Sequence, residues 1–232
     1  MHIFYTPDIL TEMQLPDEEA QHCVRVLRMT EGDEILLTDG KGSFYKALIR
    51  TAHPKHCKVE IVETITPDPL WKVKIEVAVA PTKNMDRMEW FTEKATEIGI
   101  DRIIPILCDH SERKALKEER LEKIAVSAMK QSMKPVLPEI QSLTPFDTVV
   151  SAPFDGQKFI AHCYKDDKTE LKDAYQKGSN VLVLIGPEGD FSEKEVEKAI
   201  QNGFIPVSLG RSRLRTETAA LVACHTIQLL SE

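Results

Sequence analysis

The chain has 232 residues and a formal net charge of −7. The length suits one large or two small domains, and the charge argues against a protein that coats nucleic acid through its overall field, leaving room only for a local basic surface. No apolar run approaches the about 20 residues of a membrane span, and the N-terminus has no basic flank followed by a long apolar region, so the expected compartment is the cytoplasm. Cys23, Cys57, Cys108, Cys163 and Cys224 are scattered, odd in number and without a Cys-x-x-Cys pair; they read as small buried thiols, with neither disulfide nor metal expected. His53, His56 and Cys57 lie close together, but no second ligand cluster accompanies them.

Residues 1–68 read as a β-rich first domain. His2–Tyr5 is a short extended start, and Glu18–Val26 a short helix behind acidic capping residues. Ile35–Thr38 is a strand, Asp39-Gly40 a hairpin turn, and Phe44–Ile49 and Lys58–Thr64 are further strands. Short strands with tight turns imply a small barrel. Thr66-Pro67-Asp68-Pro69-Leu70 is the linker, because two prolines remove amide donors and block helix continuation.

The second domain, 72–232, opens with a strand over Val73–Ala80. Asn84 caps a helix whose Met88, Phe91, Ala95 and Ile98 share one face, and Gly99 ends it. Ile100–Cys108 is the next strand. This alternation predicts a mainly parallel sheet covered on both faces. Between Arg113 and Lys134 a helix is expected, with Leu121, Ile124, Ala125, Ala128 and Met129 buried and Arg113, Lys114, Lys117, Arg120, Lys123, Lys130 and Lys134 pointing outward. Such a basic face is either solvated surface or a strip for phosphates. Gln157–Cys163 reads as a strand, with His162 at its end either facing a bound ligand or serving as a plain strand-end histidine, and Lys168–Lys177 as a helix capped by Gly178.

Val181–Ile185 has the length and branching of a buried strand and stops at Gly186-Pro187-Glu188-Gly189. Ser192 and Glu195 have capping-box spacing for a helix with Val196, Ala199 and Ile200 on its apolar face, ended at Gly203. Ile205–Leu209 is another strand, Gly210 another turn, and Ala219–Leu230 a last apolar helix. The chain thus makes strand, glycine loop and helix twice. Ligands of open parallel sheets bind outside the carboxyl ends of the strands, where both loops fall. On its residues alone the first loop is equally a tight turn or a cradle for a nucleotide or another polar small molecule; it lacks both the P-loop and the Rossmann glycine patterns.

Taken together, Gly186-Pro187-Glu188-Gly189 and Leu214-Arg215-Thr216-Glu217-Thr218-Ala219-Ala220 resemble the signature loops of the SPOUT methyltransferases, and specifically of the RsmE family. The stretches Lys83–Gly99 and His22–Asp33 resemble the same family, so the similarity spans nearly the whole chain. The resemblance implies a C-terminal α/β domain with a parallel sheet and a trefoil knot, preceded by a PUA-like β-barrel that holds RNA. It implies methylation of N3 of a uridine in 16S ribosomal RNA with S-adenosylmethionine, by a homodimer acting on the small ribosomal subunit.

By the same resemblance Leu184, Ile185, Gly186, Glu188 and Gly189 form one wall of the cofactor site, and Ser208, Leu209, Gly210, Leu214, Arg215 and Thr216 the other. Arg215 is the expected anchor for substrate or developing charge. Glu217 is a candidate base, or simply an acid favoured at a helix N-terminus. Arg25, Arg28, Arg113, Lys114, Lys117, Arg211 and Arg213 are the expected RNA contacts; Arg25 and Arg28 taken alone read as solvated charge. Two positions depart from the family's pattern, Asp190 where a second glycine is common and Arg211 where a proline is. Competing readings are a non-catalytic RNA-binding module, a nucleotide-dependent enzyme, and a SPOUT enzyme acting on tRNA or another ribosomal nucleotide.

Overall fold

In the computed structural model, which describes residues 2–164 and 168–231, the chain divides into two units. One is Met1–Leu70 with Val126–Leu137; the other is Trp71–Ala125 with Pro138–Glu232. Residues 126–137, expected within the second domain, thus belong with the first unit. Leu137 N donates to Gly40 O at 2.9 Å, Gly42 N to Pro135 O at 2.9 Å, and Lys130 Nζ meets Glu19 Oε1 at 2.5 Å.

The first unit contains β1 (Ile3–Tyr5), α1 (Ile9–Glu12), α2 (Asp17–Gln21), β2 (Glu34–Thr38), β3 (Phe44–Thr51) and β4 (Lys58–Ile65). They form one sheet in the order β1-β2-β3-β4, with β1 parallel to β2 and the other pairs antiparallel. Along β3 the side chains of Tyr45, Ala47 and Ile49 are buried, the period-2 signature of a half-covered strand. They pack with Phe4, Ile9, Leu15, Cys23 and Leu37. The predicted helix over 18–26 is split: α2 passes directly into a π-helical turn at His22–Val26, where Leu27 N reaches back to His22 O.

The second unit contains β5 (Ile75–Val79), α3 (Met85–Ile98), β6 (Arg102–Leu107), the first turns of α4 (Glu118–Gln131), β7 (Glu139–Ile140), β8 (Thr144–Pro145), α5 (Phe146–Ser151), β9 (Gln157–Ala161), β10 (Thr169–Glu170), α6 (Leu171–Ala174), β11 (Val181–Ile185), α7 (Glu193–Gln201), β12 (Ile205–Ser208) and α8 (Thr216–Ser231). The parallel order β10-β12-β9-β11-β5-β6-β7, with β8 also beside β6, puts β5 and β11 at the centre. Every residue of these two strands is buried. On one face Val181, Val183 and Ile185 pack with Met88, Phe91 and Ala95 of α3 and with Ala220, Ala223 and Ile227 of α8. On the other, Leu182 and Leu184 pack with Phe146 and Val149 of α5 and with Val196 and Ala199 of α7. A strand covered on both sides reads as a continuous apolar run, as Val181–Ile185 does.

Several expectations need correction. Lys168–Lys177 is not a helix: Thr169 and Glu170 pair with Val207 and Ser208, leaving one helical turn at Leu171–Ala174. Sheet pairing there overrides helix propensity. The basic helix begins only at Glu118, so Arg113, Lys114 and Lys117 precede it in irregular chain. Ile200 is 46% exposed, which narrows the buried stripe of α7 to Val196 and Ala199. Cys163 is exposed, unlike the other four cysteines. The last helix starts a turn early, at Thr216, because Ala219 N already donates to Arg215 O at 2.7 Å. No helix among the described residues is long and apolar enough to cross a membrane.

The capping box of α7 is complete: Ser192 Oγ accepts from Glu195 N, and Glu195 Oε2 accepts from Ser192 N at 2.8 Å. Ser192→Ala is expected to cost about 1 kcal/mol, read as a lower urea midpoint at constant slope.

Candidate active site

Strands β9, β11 and β12 are parallel, so the loops that leave their carboxyl ends gather on one side of the sheet. His162–Tyr164 follows β9, Gly186–Phe191 follows β11, and Leu209–Arg215 follows β12. They enclose two adjoining hollows of about 280 and 410 Å³, which share Ala161, Cys163, Arg213, Leu214 and Ala219. Ligand sites span about 300–1,000 Å³, so the pair holds a ligand larger than a mononucleoside fragment.

Local chemistry fixes the β11 loop. A Cβ on Gly186 would lie 3.0 Å from the Phe191 ring and 3.1 Å from its amide nitrogen, so no side chain fits without displacing that residue. Phe191 is fully buried against Phe146, and its carbonyl accepts from Tyr164 Oη at 2.7 Å. Asp190 has φ 65°, a left-handed conformation that suits glycine best and asparagine or aspartate next. Its carboxylate accepts from Cys163 N at 2.7 Å and Phe191 N at 2.8 Å, bonds that glycine would not make. His110 Nδ1 lies 3.0 Å from Asp190 O. Glu188 Oε1 accepts from Lys83 N at 2.9 Å, while Arg113 donates to Thr82 O at 3.1 Å and Lys83 O at 2.6 Å. Thr216 Oγ1 donates to Gly186 O at 3.1 Å and ties the two glycine loops together.

Of the expected cofactor residues, Ile185, Gly186, Glu188, Leu214, Arg215 and Thr216 line the first hollow and Ser208, Leu209, Gly210 and Leu214 the second. Leu184 lines neither; it is fully buried in the core. Gly189 lines neither; it sits against the His110 side chain, 3.1 Å from where its Cβ would be. Arg213 lines both hollows and Arg211 the second. The loop after β9 supplies a third wall: His162, Cys163 and Tyr164 line the second hollow beside Ala161 at the end of the strand, and of these the sequence pointed only to His162. Its signal was an apolar strand ending in a polar turn, the same grammar as the other two.

Glu217 lies elsewhere. With Asp86, Arg87, Trp90, Arg215 and Thr218 it lines a neighbouring hollow of about 320 Å³. Only 8% of Glu217 is exposed; its Oε1 is 3.8 Å from Arg87 Nε and its Oε2 has no hydrogen-bond partner. Arg215 is the residue common to this hollow and the cleft.

The expected RNA contacts are divided between the two units. Arg25 on the π-helical turn and Arg28, at φ 57°, are exposed in the first unit. In the second unit Lys114, Lys117, Arg211 and Arg213 are exposed, whereas Arg113 is engaged with backbone carbonyls. Arg120 pairs with Glu89 and Lys130 with Glu19, which depletes the anticipated basic strip. Partial desolvation of its sulfur, aided by the Asp190 carboxylate, pushes the thiol of the otherwise exposed Cys163 up. No group of three metal-binding side chains exists among the described residues.

A parallel sheet with strand-end loops around one cleft defines a ligand-binding α/β domain, and the comparisons give its class: residues 69–228 match the RNA methyltransferase domain and residues 15–62 the RNA methyltransferase PUA domain. A probable rRNA-methyltransferase from Porphyromonas gingivalis is 49% identical in sequence, with a TM-score of 0.95 over 100% of this chain and 98% of that one. The ribosomal RNA small subunit methyltransferase E of Neisseria gonorrhoeae, solved bound to S-adenosyl methionine, is 29% identical, with a TM-score of 0.88 over 99% and 98% of the two chains. The enzyme of the same name from Bacillus subtilis is 29% identical over 93% of this chain and 89% of its own. The chain belongs to the RsmE family of RNA methyltransferases.

Proposed function

We propose that this protein methylates N3 of a uridine in 16S ribosomal RNA, using S-adenosylmethionine, in the cytoplasm. The observation that carries the reading is the junction of the two glycine loops, Thr216 Oγ1 to Gly186 O, beside a cleft of ligand size in a chain of this family. The cleft suits the cofactor chemically. Two acidic residues, Glu188 and Asp190, stand in its lining, and their negative charge suits a sulfonium. Glu188 Oε2 is buried without a partner, an acceptor left for a ligand hydroxyl or ammonium group.

Bound S-adenosylmethionine supplies an electrophilic methyl on sulfur. Ile185, Gly186, Leu214 and Thr216, which line the first hollow, would hold and orient it. Arg215, between the cleft and the neighbouring hollow, stabilises charge developing on the uracil carbonyls. Glu217 would accept the N3 proton of the uridine, which must leave for that nitrogen to become a nucleophile. Arg25, Arg28, Lys114, Lys117, Arg211 and Arg213 contact phosphates; Arg113 positions the Thr82–Lys83 carbonyls and, through Lys83 N, Glu188. The return of α8 from β12 to pack beside β5 and β11 supports the trefoil-knot topology. A homodimer is the expected assembly, which sedimentation tests.

Mass mapping of ribosomal RNA from cells lacking the protein tests the activity: one methyl on a 16S uridine should be missing. Loss of a methyl elsewhere would redirect the substrate to another RNA. Glu217→Gln is expected to lower the turnover about 100-fold in single-turnover methylation. An unchanged turnover would assign the proton to water or another group.

A further inference from the structure

The hollow beside the cleft combines features that neither fold stability nor cofactor binding requires. Trp90 on α3 leaves 42% of its surface exposed, unusual for the largest aromatic side chain. Glu217 is more than nine-tenths buried, yet its Oε2 lacks a hydrogen-bond partner. An orphaned buried carboxylate oxygen is costly unless a ligand donor completes it. Arg87 Nε, 3.8 Å from Glu217 Oε1, offsets the charge of that carboxylate. Arg215 joins the hollow to the cofactor cleft.

We propose that the hollow formed by Arg87, Trp90, Arg215, Glu217 and Thr218 is a pocket for a single unpaired pyrimidine base bearing a ring N–H. The base stacks on Trp90, as unpaired RNA bases do on aromatic side chains. Its ring N–H donates to Glu217 Oε2 and completes the orphan. Arg87 is a positioning residue: its Nε, 3.8 Å from Glu217 Oε1, fixes the direction of that carboxylate, and it does not touch the base. This rests on the uridine-N3 reading and deepens it in one respect. A base methylated at N3 has lost the donor, so Glu217 is orphaned again and the pocket releases the product.

The test is a binding measurement that requires no turnover. A labelled trinucleotide with a central uridine and the same trinucleotide with central 3-methyluridine are titrated against the full chain by anisotropy. The wild type is expected to prefer uridine by about tenfold, the effect of one hydrogen bond to a charged acceptor. Glu217→Gln should bring the preference close to unity. Trp90→Ala should weaken uridine binding about tenfold, and Trp90→Phe, which keeps a ring, should restore most of it. Arg87→Ala should lower the uridine preference, with Arg87→Lys recovering part. Trp90 is exposed, so its variants should melt with the wild type. Equal affinity of the wild type for the two trinucleotides, or undiminished binding by Trp90→Ala, overturns the pocket. An intact preference without methyl transfer would instead remove the enzymatic reading and leave the pocket standing.

Discussion

Arg215→Ala should lower methyl transfer about 100- to 1,000-fold while changing cofactor affinity less than about fivefold, the loss that follows removal of one preorganised charge-stabilising donor. The side chain is exposed at the mouth of the cleft and takes no part in the hydrophobic core, so folding should be unaffected. Its backbone stays, and Ala219 N can still bond to the residue 215 carbonyl that starts α8. Calorimetry with S-adenosylmethionine and single-turnover methylation separate the two quantities. Unchanged turnover would remove Arg215 from the reaction; a cofactor affinity lowered in proportion to rate would make it a binding residue instead.

Phe191→Ala should destabilise the protein by about 3–5 kcal/mol, the range for deleting a fully buried aromatic ring. Phe191 has no exposed surface and packs on Phe146 at a ring separation of 5.6 Å. The same ring braces Gly186, so cofactor affinity should fall beyond what the stability loss alone produces. Phe191→Leu, closer in volume, should recover much of the stability. Chemical denaturation followed by circular dichroism, with calorimetry on the folded fraction, reads both. A variant that is destabilised yet binds the cofactor normally would show that the β11 loop holds its shape without the ring.

Where a sequence pattern is local, the structure follows it closely. Val181–Ile185 is the strand expected, and Asn84 and Ser192 cap the helices they precede, because strand burial and capping depend on residues a few positions apart. Expectations failed where a distant partner decides the outcome. Thr169 and Glu170 leave the predicted helix because Val207 and Ser208 lie beside them. Arg113 was read as a free cation, but the Thr82 and Lys83 carbonyls claim it, and nothing near residue 113 signals that. The cleft was legible at its two glycine loops; of its third wall, after β9, only His162 was, because the recruitment of that loop depends on strand order. Asp190 was visible as a departure from the family's glycine, but its compensation, two bonds accepted by its carboxylate, needed the position of Cys163.

The bond between Thr216 and Gly186 has a consequence for biosynthesis. The walls of the cleft are drawn from residues 161 to 219, and its brace at Lys83 must already be in place. A growing polypeptide therefore has no donor site until Ala219 has left the ribosome that makes it. Any copy stalled earlier is inert toward the cofactor, however well its first domain has folded.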